Sequence, residues 1–158
     1  MPILNIITVP NPILRKKSKD ISLKEISSSE MKRLFSSMAK TMLKADGQGL
    51  AAPQIGKNIR LCVINSKDGP LFVINPKIKK KSWAKELDQE GCLSVPGIFG
   101  KVKRPKKITA VYHDKSGKKI KQTVQGLMAR VFQHEIDHLD GVLFTDKAVE
   151  IQNPPSSK

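Results

Sequence analysis

The sequence predicts an α+β fold in a single domain, with antiparallel strands packed around a C-terminal helix that carries an H-E-x-x-H motif. Three observations predict it. At 158 residues the chain fits one compact domain large enough to bury a core without staples. Helical periodicity is confined to two stretches, near residues 29–45 and 126–139. Between them lie two hairpin signals, Lys67-Asp68-Gly69-Pro70 and Asp114-Lys115-Ser116-Gly117, each flanked by β-rich runs.

Taken in order, residues 1 to 26 mix short apolar pieces with Pro10, Pro12 and the cluster Arg15-Lys16-Lys17, which predicts an extended, wrapping segment. Ser27 and Glu30 have capping-box spacing, and Met31, Leu34, Phe35, Met38 and Met42 recur at helical intervals. A helix over about 29–45 follows, with the methionine stripe as core packing. Gly47-Gln48-Gly49-Leu50-Ala51-Ala52-Pro53-Gln54-Ile55-Gly56 reads as a loop in which backbone approaches another group closely, since small residues leave room and Pro53 interrupts a regular strand. It lacks G-K-[ST] and the dinucleotide fingerprint, so it is not a phosphate loop.

Strands are expected at Arg60 to Asn65 and Leu71 to Asn75, with Cys62 in the core. Residues 77 to 87 read as an edge strand protected by Lys79, Lys80 and Lys81. Glu90 to Ser94 reads as a turn and Pro96-Gly97 as a break. A second hairpin pairs 106–113 with 118–124, and the last helix spans about Gly126 to Leu139 with Gly141 as its stop. The domain is drawn at 1–150, with a short polar tail at 151–158 that frays; no repeat or interdomain linker is evident.

Apolar residues make up 39% and charged residues 27% of the chain, a globular composition. No apolar run reaches the ~20 residues of a membrane helix, and Met1-Pro2-Ile3-Leu4-Asn5 lacks the basic start and apolar core of a signal peptide. A cytoplasmic protein that does not engage membranes is expected. The net charge of +15, mostly lysine, suits polyanionic neighbours such as a ribosomal surface, although a solvated lysine coat explains it equally well. With one Trp and one Tyr, sequence-specific nucleic-acid reading is not expected. Two cysteines without a secretory signal do not suggest a disulfide.

The chemistry centres on Gln133-His134-Glu135-Ile136-Asp137-His138. On a helix, His134 and His138 project from one face and can meet at one metal ion, while Glu135 stands beside that point as an acid or base toward water. A catalytic site of this kind takes a third protein ligand and leaves one position open. Phe occupies position 144, where H-E-x-x-H-x-x-G-x-x-H peptidases have His, and Glu150 in the tail is the only Glu after the motif, which leaves too little chain for a downstream-Glu peptidase. The third ligand must therefore lie upstream, among His113, Cys92 and scattered carboxylates. Cys92, flanked by Gly91 in a turn-like setting, is the better candidate, and a Cys-His-His set suits Zn²⁺ or Fe²⁺.

Three stretches together, Gly47-Gln48-Gly49-Leu50-Ala51-Ala52-Pro53-Gln54, Glu90-Gly91-Cys92-Leu93-Ser94 and Gln133-His134-Glu135-Ile136-Asp137-His138-Leu139, resemble the signature motifs of peptide deformylases in order and spacing. The resemblance covers residues 1 to about 148; the end of the chain departs from longer relatives, which carry a C-terminal helix. It implies a hydrolase that removes the formyl group from the N-terminal formylmethionine of nascent polypeptides and releases formate. It also implies Cys92, His134 and His138 as metal ligands, Glu135 as the acid/base residue, and Gln54 with the backbone N–H of Leu93 as donors to the formyl oxygen. The implied metal is Fe²⁺, one per chain, with Ni²⁺, Co²⁺ or Zn²⁺ as substitutes. Leu127 and Val131, on the face of His134, are expected to line the methionine pocket and Gly49 to pair with the extended peptide; Asp137 could orient an imidazole, but a solvated helix Asp is the commoner outcome. An internal peptidase and a zinc-stabilised RNA-binding module are the competing readings; Glu135 and Gln54 argue against the second, because a structural site needs neither a base nor an oxyanion donor.

Overall fold

The computed structural model describes residues 2–152. Its centre is a five-stranded antiparallel sheet in the order β1 (Gly49–Ala51), β2 (Leu61–Ser66), β3 (Gly69–Lys81), β6 (Lys107–His113), β7 (Lys119–Gln125). A second sheet joins β4 (Lys85–Cys92), β5 (Val95–Pro105) and β8 (Ala148–Gln152). The helices are α1 (Leu23–Ile26), α2 (Ser29–Lys44), α3 (Gly126–Leu139) and α4 (Phe144–Lys147).

The unbroken apolar run Leu61-Cys62-Val63-Ile64 explains why the larger sheet is covered on both sides. Successive strand residues point to opposite faces, so a run with no polar member must be buried twice. Leu61 and Val63 pack with Phe72 and Ile74 under the Met31, Phe35, Met38 and Met42 stripe of α2. Cys62, Ile64 and Val73 face the other way, against Phe132, Ile136 and Leu139 of α3. The methionine stripe is thus core, as expected, and Cys62 is fully buried.

On its second side α3 packs against β5, so the H-E-x-x-H helix lies between the two sheets. It stops where expected: Gly141 sits at φ +74°, and a Cβ there would strike the Arg15 carbonyl. The segment before α1 wraps the molecule, as read from the sequence, and pins the site loops from behind. Ile7 N–H donates to the Gln54 carbonyl at 2.7 Å and Val9 N–H to the Ser94 carbonyl at 2.9 Å.

Five expectations need correction. The cap of α2 is Ser28, whose hydroxyl accepts from Met31 N–H, one residue after the Ser27 of the capping-box reading. Residues 77 to 87 are not one edge strand: 77–81 continue β3 and pair with β6, and a turn at 82–84 leads into β4. Glu90, Gly91 and Cys92 end β4, so only Leu93 and Ser94 form the turn. Pro96 and Gly97 lie inside β5, where the register skips between Gly91↔Phe99 and Cys92↔Val95 and so absorbs the proline. Ile151 and Gln152, assigned to the fraying 151–158 tail, instead pair with β5 through Gly100↔Ile151 and Phe99↔Gln152. The rest of that tail lies outside the described residues.

Candidate active site

Three elements deliver the donor atoms. The i, i+4 spacing on α3 places the rings of His134 and His138 edge to face with centroids 5.0 Å apart. The end of β4 brings in Cys92, whose Sγ lies 3.3 Å from His138 Nε2. One ligand atom from each of the three residues falls within 4.8 Å of the others. His113, the other upstream candidate, sits at the end of β6 and takes no part in this cluster.

The donor set fits a metal ion. One thiolate and two imidazoles suit the borderline-soft divalent ions, and three protein ligands leave a position open for catalysis. His138 is buried with Nδ1 unpartnered, and burial holds its imidazole well below its ordinary pKa, so the ring is neutral and able to ligate.

His134 is aligned from behind by Glu90. Its Nδ1 lies 2.9 Å from Glu90 Oε1. Burial disfavours the Glu90 carboxylate, but the hydrogen bonds from His134 and Arg104 outweigh it and lower its pKa to about 2. The carboxylate only accepts, so Nδ1 carries the proton and Nε2 is left as the ligating atom. Glu90 is in turn held by Arg104 Nε at 2.6 Å, Arg104 Nη2 at 2.9 Å and Arg130 Nη1 at 2.6 Å. All three residues are buried, and losing one partner would leave a charge without compensation. With the protein's own groups alone, burial pulls the His134 imidazole down, but its hydrogen bonds to Cys92 and Glu90 outweigh that and raise it to about 10.

Asp137 fits neither of its two sequence readings, an imidazole-orienting residue or a solvated helix Asp. Asp137 binds Arg104 Nη1 at 2.9 Å and Lys147 Nζ at 3.0 Å, so it supports the clamp on Glu90 and touches neither imidazole. The signal for Glu90 was present. Read as a strand end rather than a turn, 90–92 places Glu90 and Cys92 two apart, on the same face of β4.

Glu135 is 3% exposed, its Oε2 has no hydrogen-bond partner, and burial pushes its carboxyl up to about 7. Gly49, at the start of edge strand β1, lies directly against it: a Cβ at position 49 would stand 2.6 Å from Glu135 Oε1, so this position requires glycine. Gln54, in the 3-10 turn Ala52–Ile55, accepts from Ala51 N–H at 2.9 Å. Its amide Nε2 donates to Ser94 Oγ at 3.0 Å and makes a weaker 3.6 Å contact with Cys92 Sγ. One N–H of Gln54 is therefore anchored and the other faces the cysteine.

These residues open on a cavity of about 520 Å³ lined by Gly49, Gln54, Cys92, Leu93, His134 and Glu135, with Leu127 and Val131 also on its walls. Val131 is buried, whereas Leu127 is 65% exposed and forms the rim. Of the residues the family resemblance implies as ligand, base, donor or pocket wall, all but His138 border this one cavity.

The comparisons agree with this geometry. The family model described as polypeptide deformylase matches residues 3–154. The peptide deformylase of Syntrophomonas wolfei is 47% identical over 150 residues, covering 95% of this chain and 96% of that protein. The crystal structure of the Thermotoga maritima peptide deformylase superposes with a TM-score of 0.90 at 38% identity, over 94% of this chain and 99% of the other. A Met-Ala-Ser-bound class I type b peptide deformylase from Acinetobacter baumannii gives 0.89 at 32% identity, over 92% and 98%.

Proposed function

The chain belongs to the polypeptide deformylase family, metal-dependent hydrolases that remove the N-terminal formyl group from nascent peptides, and on that premise we propose how its residues divide the work. Cys92, His134 and His138 hold the metal ion, which is Fe²⁺, with Zn²⁺, Ni²⁺ or Co²⁺ able to replace it. The observation that carries this assignment is the convergence of one thiol and two imidazoles beside a buried carboxyl at the wall of an open cavity.

The bound ion supplies Lewis acidity, polarising the formyl carbonyl and making water a better nucleophile. Glu135 takes a proton from the attacking water and returns it to the amine nitrogen as the C–N bond breaks, so that formate leaves and the methionine amine is freed. A carboxyl near neutrality suits both halves of that exchange. The Gln54 N–H that faces Cys92 and the backbone N–H of Leu93 donate to the formyl oxygen as charge develops on it. Val131 and Leu127 flank the methionine side chain. The unpaired side of β1 at Gly49 meets the extended peptide backbone, in the manner of strand addition to a sheet edge. The Met-Ala-Ser found on the Acinetobacter baumannii enzyme has the composition such a groove would take.

The test is formate release from formyl-Met-Ala-Ser, with unformylated Met-Ala-Ser as control. Formate from the first and no cleavage of the second is expected; cleavage of internal peptide bonds would instead support a peptidase. Metal analysis after anaerobic purification should find about one iron per chain. Cys92→Ser should lose or exchange that metal, while Cys62→Ser, in the core beneath α3, should keep it. Equal loss from both would mean that the wrong thiol was chosen.

Among the described residues no helix is long and apolar enough to cross a membrane. We place the enzyme in the cytoplasm because nascent peptides, the substrate of its family, are made there. The charge of +15 further supports transient ribosome association. Co-sedimentation with ribosomes should be evident at low salt and lost at high salt, while turnover of a short neutral peptide changes little. Absence of pelleting even at low salt would reduce the charge to a solubility coat.

A further inference from the structure

Trp83, the only tryptophan, is 97% exposed at the tip of the turn between β3 and β4. A single exposed aromatic ring is ordinary on its own, so what matters here is the surface it borders. The turn is held in place: Ser82 N–H donates to the Lys107 carbonyl at 2.9 Å, and Lys106 N–H to the Ala84 carbonyl at 3.0 Å. The backbone that carries the indole is therefore fixed beside the start of β6.

The adjoining sheet face is basic. Paired residues of antiparallel strands share a face. The register puts Lys77, Val111 and Lys121 in one row, Lys80, Thr109 and Thr123 in the next, and Lys107 and Gln125 in a third, nearest the Trp83 turn. The lysines of these rows are exposed while Ile108, Ala110 and Val124 at the alternate positions face the core; Thr109 between them is buried and bonded to Thr123. The rows contain no carboxylate, and among the described residues none of these lysines has an ion-pair partner.

We infer that the outer face of β3, β6 and β7, with Trp83 at its border, is a docking surface for single-stranded RNA, its lysines neutralising phosphates and the indole stacking on an unpaired base. A sheet face with a border aromatic and hydrogen-bonding side chains matches how single strands are bound without sequence preference. An anionic membrane would also attract lysines, but it needs apolar area to enter the interface, and the rows beside Trp83 expose Thr123 and Gln125. The inference stands apart from the catalytic assignment, since it uses no residue of the cavity.

The sole tryptophan reports on its own contact. A labelled 12-nucleotide oligouridine should raise fluorescence anisotropy and quench Trp83 emission at low salt, and log affinity should fall linearly with log salt, by about 0.7 per phosphate neutralised. Trp83→Ala should weaken binding about tenfold with the salt slope kept, as expected for one stacked base. Lys77→Glu with Lys121→Glu should flatten the slope. All variants should release formate from formyl-Met-Ala-Ser at the parent rate, which verifies their fold. Unchanged affinity in Trp83→Ala, or no anisotropy change at low salt, overturns the proposal. So does a blue shift of Trp83 on phosphatidylglycerol vesicles without quenching by RNA, which assigns the face to membranes.

Discussion

Glu135→Gln should keep its metal and lose turnover by about 10²- to 10⁴-fold, the usual contribution of a positioned acid/base group. The substitution is close to isosteric, which matters at this position. Glu135 is packed against the Gly49 backbone and is almost wholly buried, so a shorter or branched side chain would change the groove as well as the chemistry. Nor is Glu135 among the three donors, so metal content should match the parent protein. A residue that merely filled space would tolerate the change. Retained turnover would therefore sink the proposed proton transfer, and loss of metal would show that the carboxylate supports the ligand cluster.

Much of this architecture was legible because the signals were local. The i, i+4 histidines, the periodicity of α2 and α3 and the two hairpin turns each depend on residues close in sequence, and all were found. What escaped was set by distant partners. Glu90-Gly91-Cys92 has the composition of a turn, yet eight cross-strand pairs from Lys85↔Pro105 to Cys92↔Val95 hold it in a strand. That one misreading hid the role of Glu90, since a turn carries no expectation that residues two apart share a face. Similarly, Ile151 and Gln152 stand just before the Pro154-Pro155 break and look like the start of a tail, but β5 offers an edge that only the fold reveals. Arg104 and Arg130 carried no sequence signal. Each is a single arginine in an ordinary context, and their convergence on Glu90 from β5 and α3 arises from packing between the sheets.

Gln54→Leu distinguishes a deformylase-like site from a mere metal helix, and its expected cost is about 10²- to 10³-fold in kcat, as for removal of one oxyanion donor. If the amide strengthens its bond only as charge develops on the formyl oxygen, kcat should fall more than KM rises. The structure adds a second consequence. Gln54 accepts from Ala51 N–H and donates to Ser94 Oγ in a buried setting, so leucine leaves both groups without their partner. An orphaned buried group costs about 1–3 kcal/mol, and a loss of that size lowers Tm by several degrees in a domain of this length. Thermal melting must therefore accompany the kinetics. The proposal expects a lowered Tm, bound metal at the parent level and a collapsed kcat. A near-normal kcat with a raised KM would show that Gln54 holds substrate without stabilising the transition state. Stoichiometric loss of metal would show that its 3.6 Å contact with Cys92 supports the ligand thiol, and that the oxyanion role belongs elsewhere.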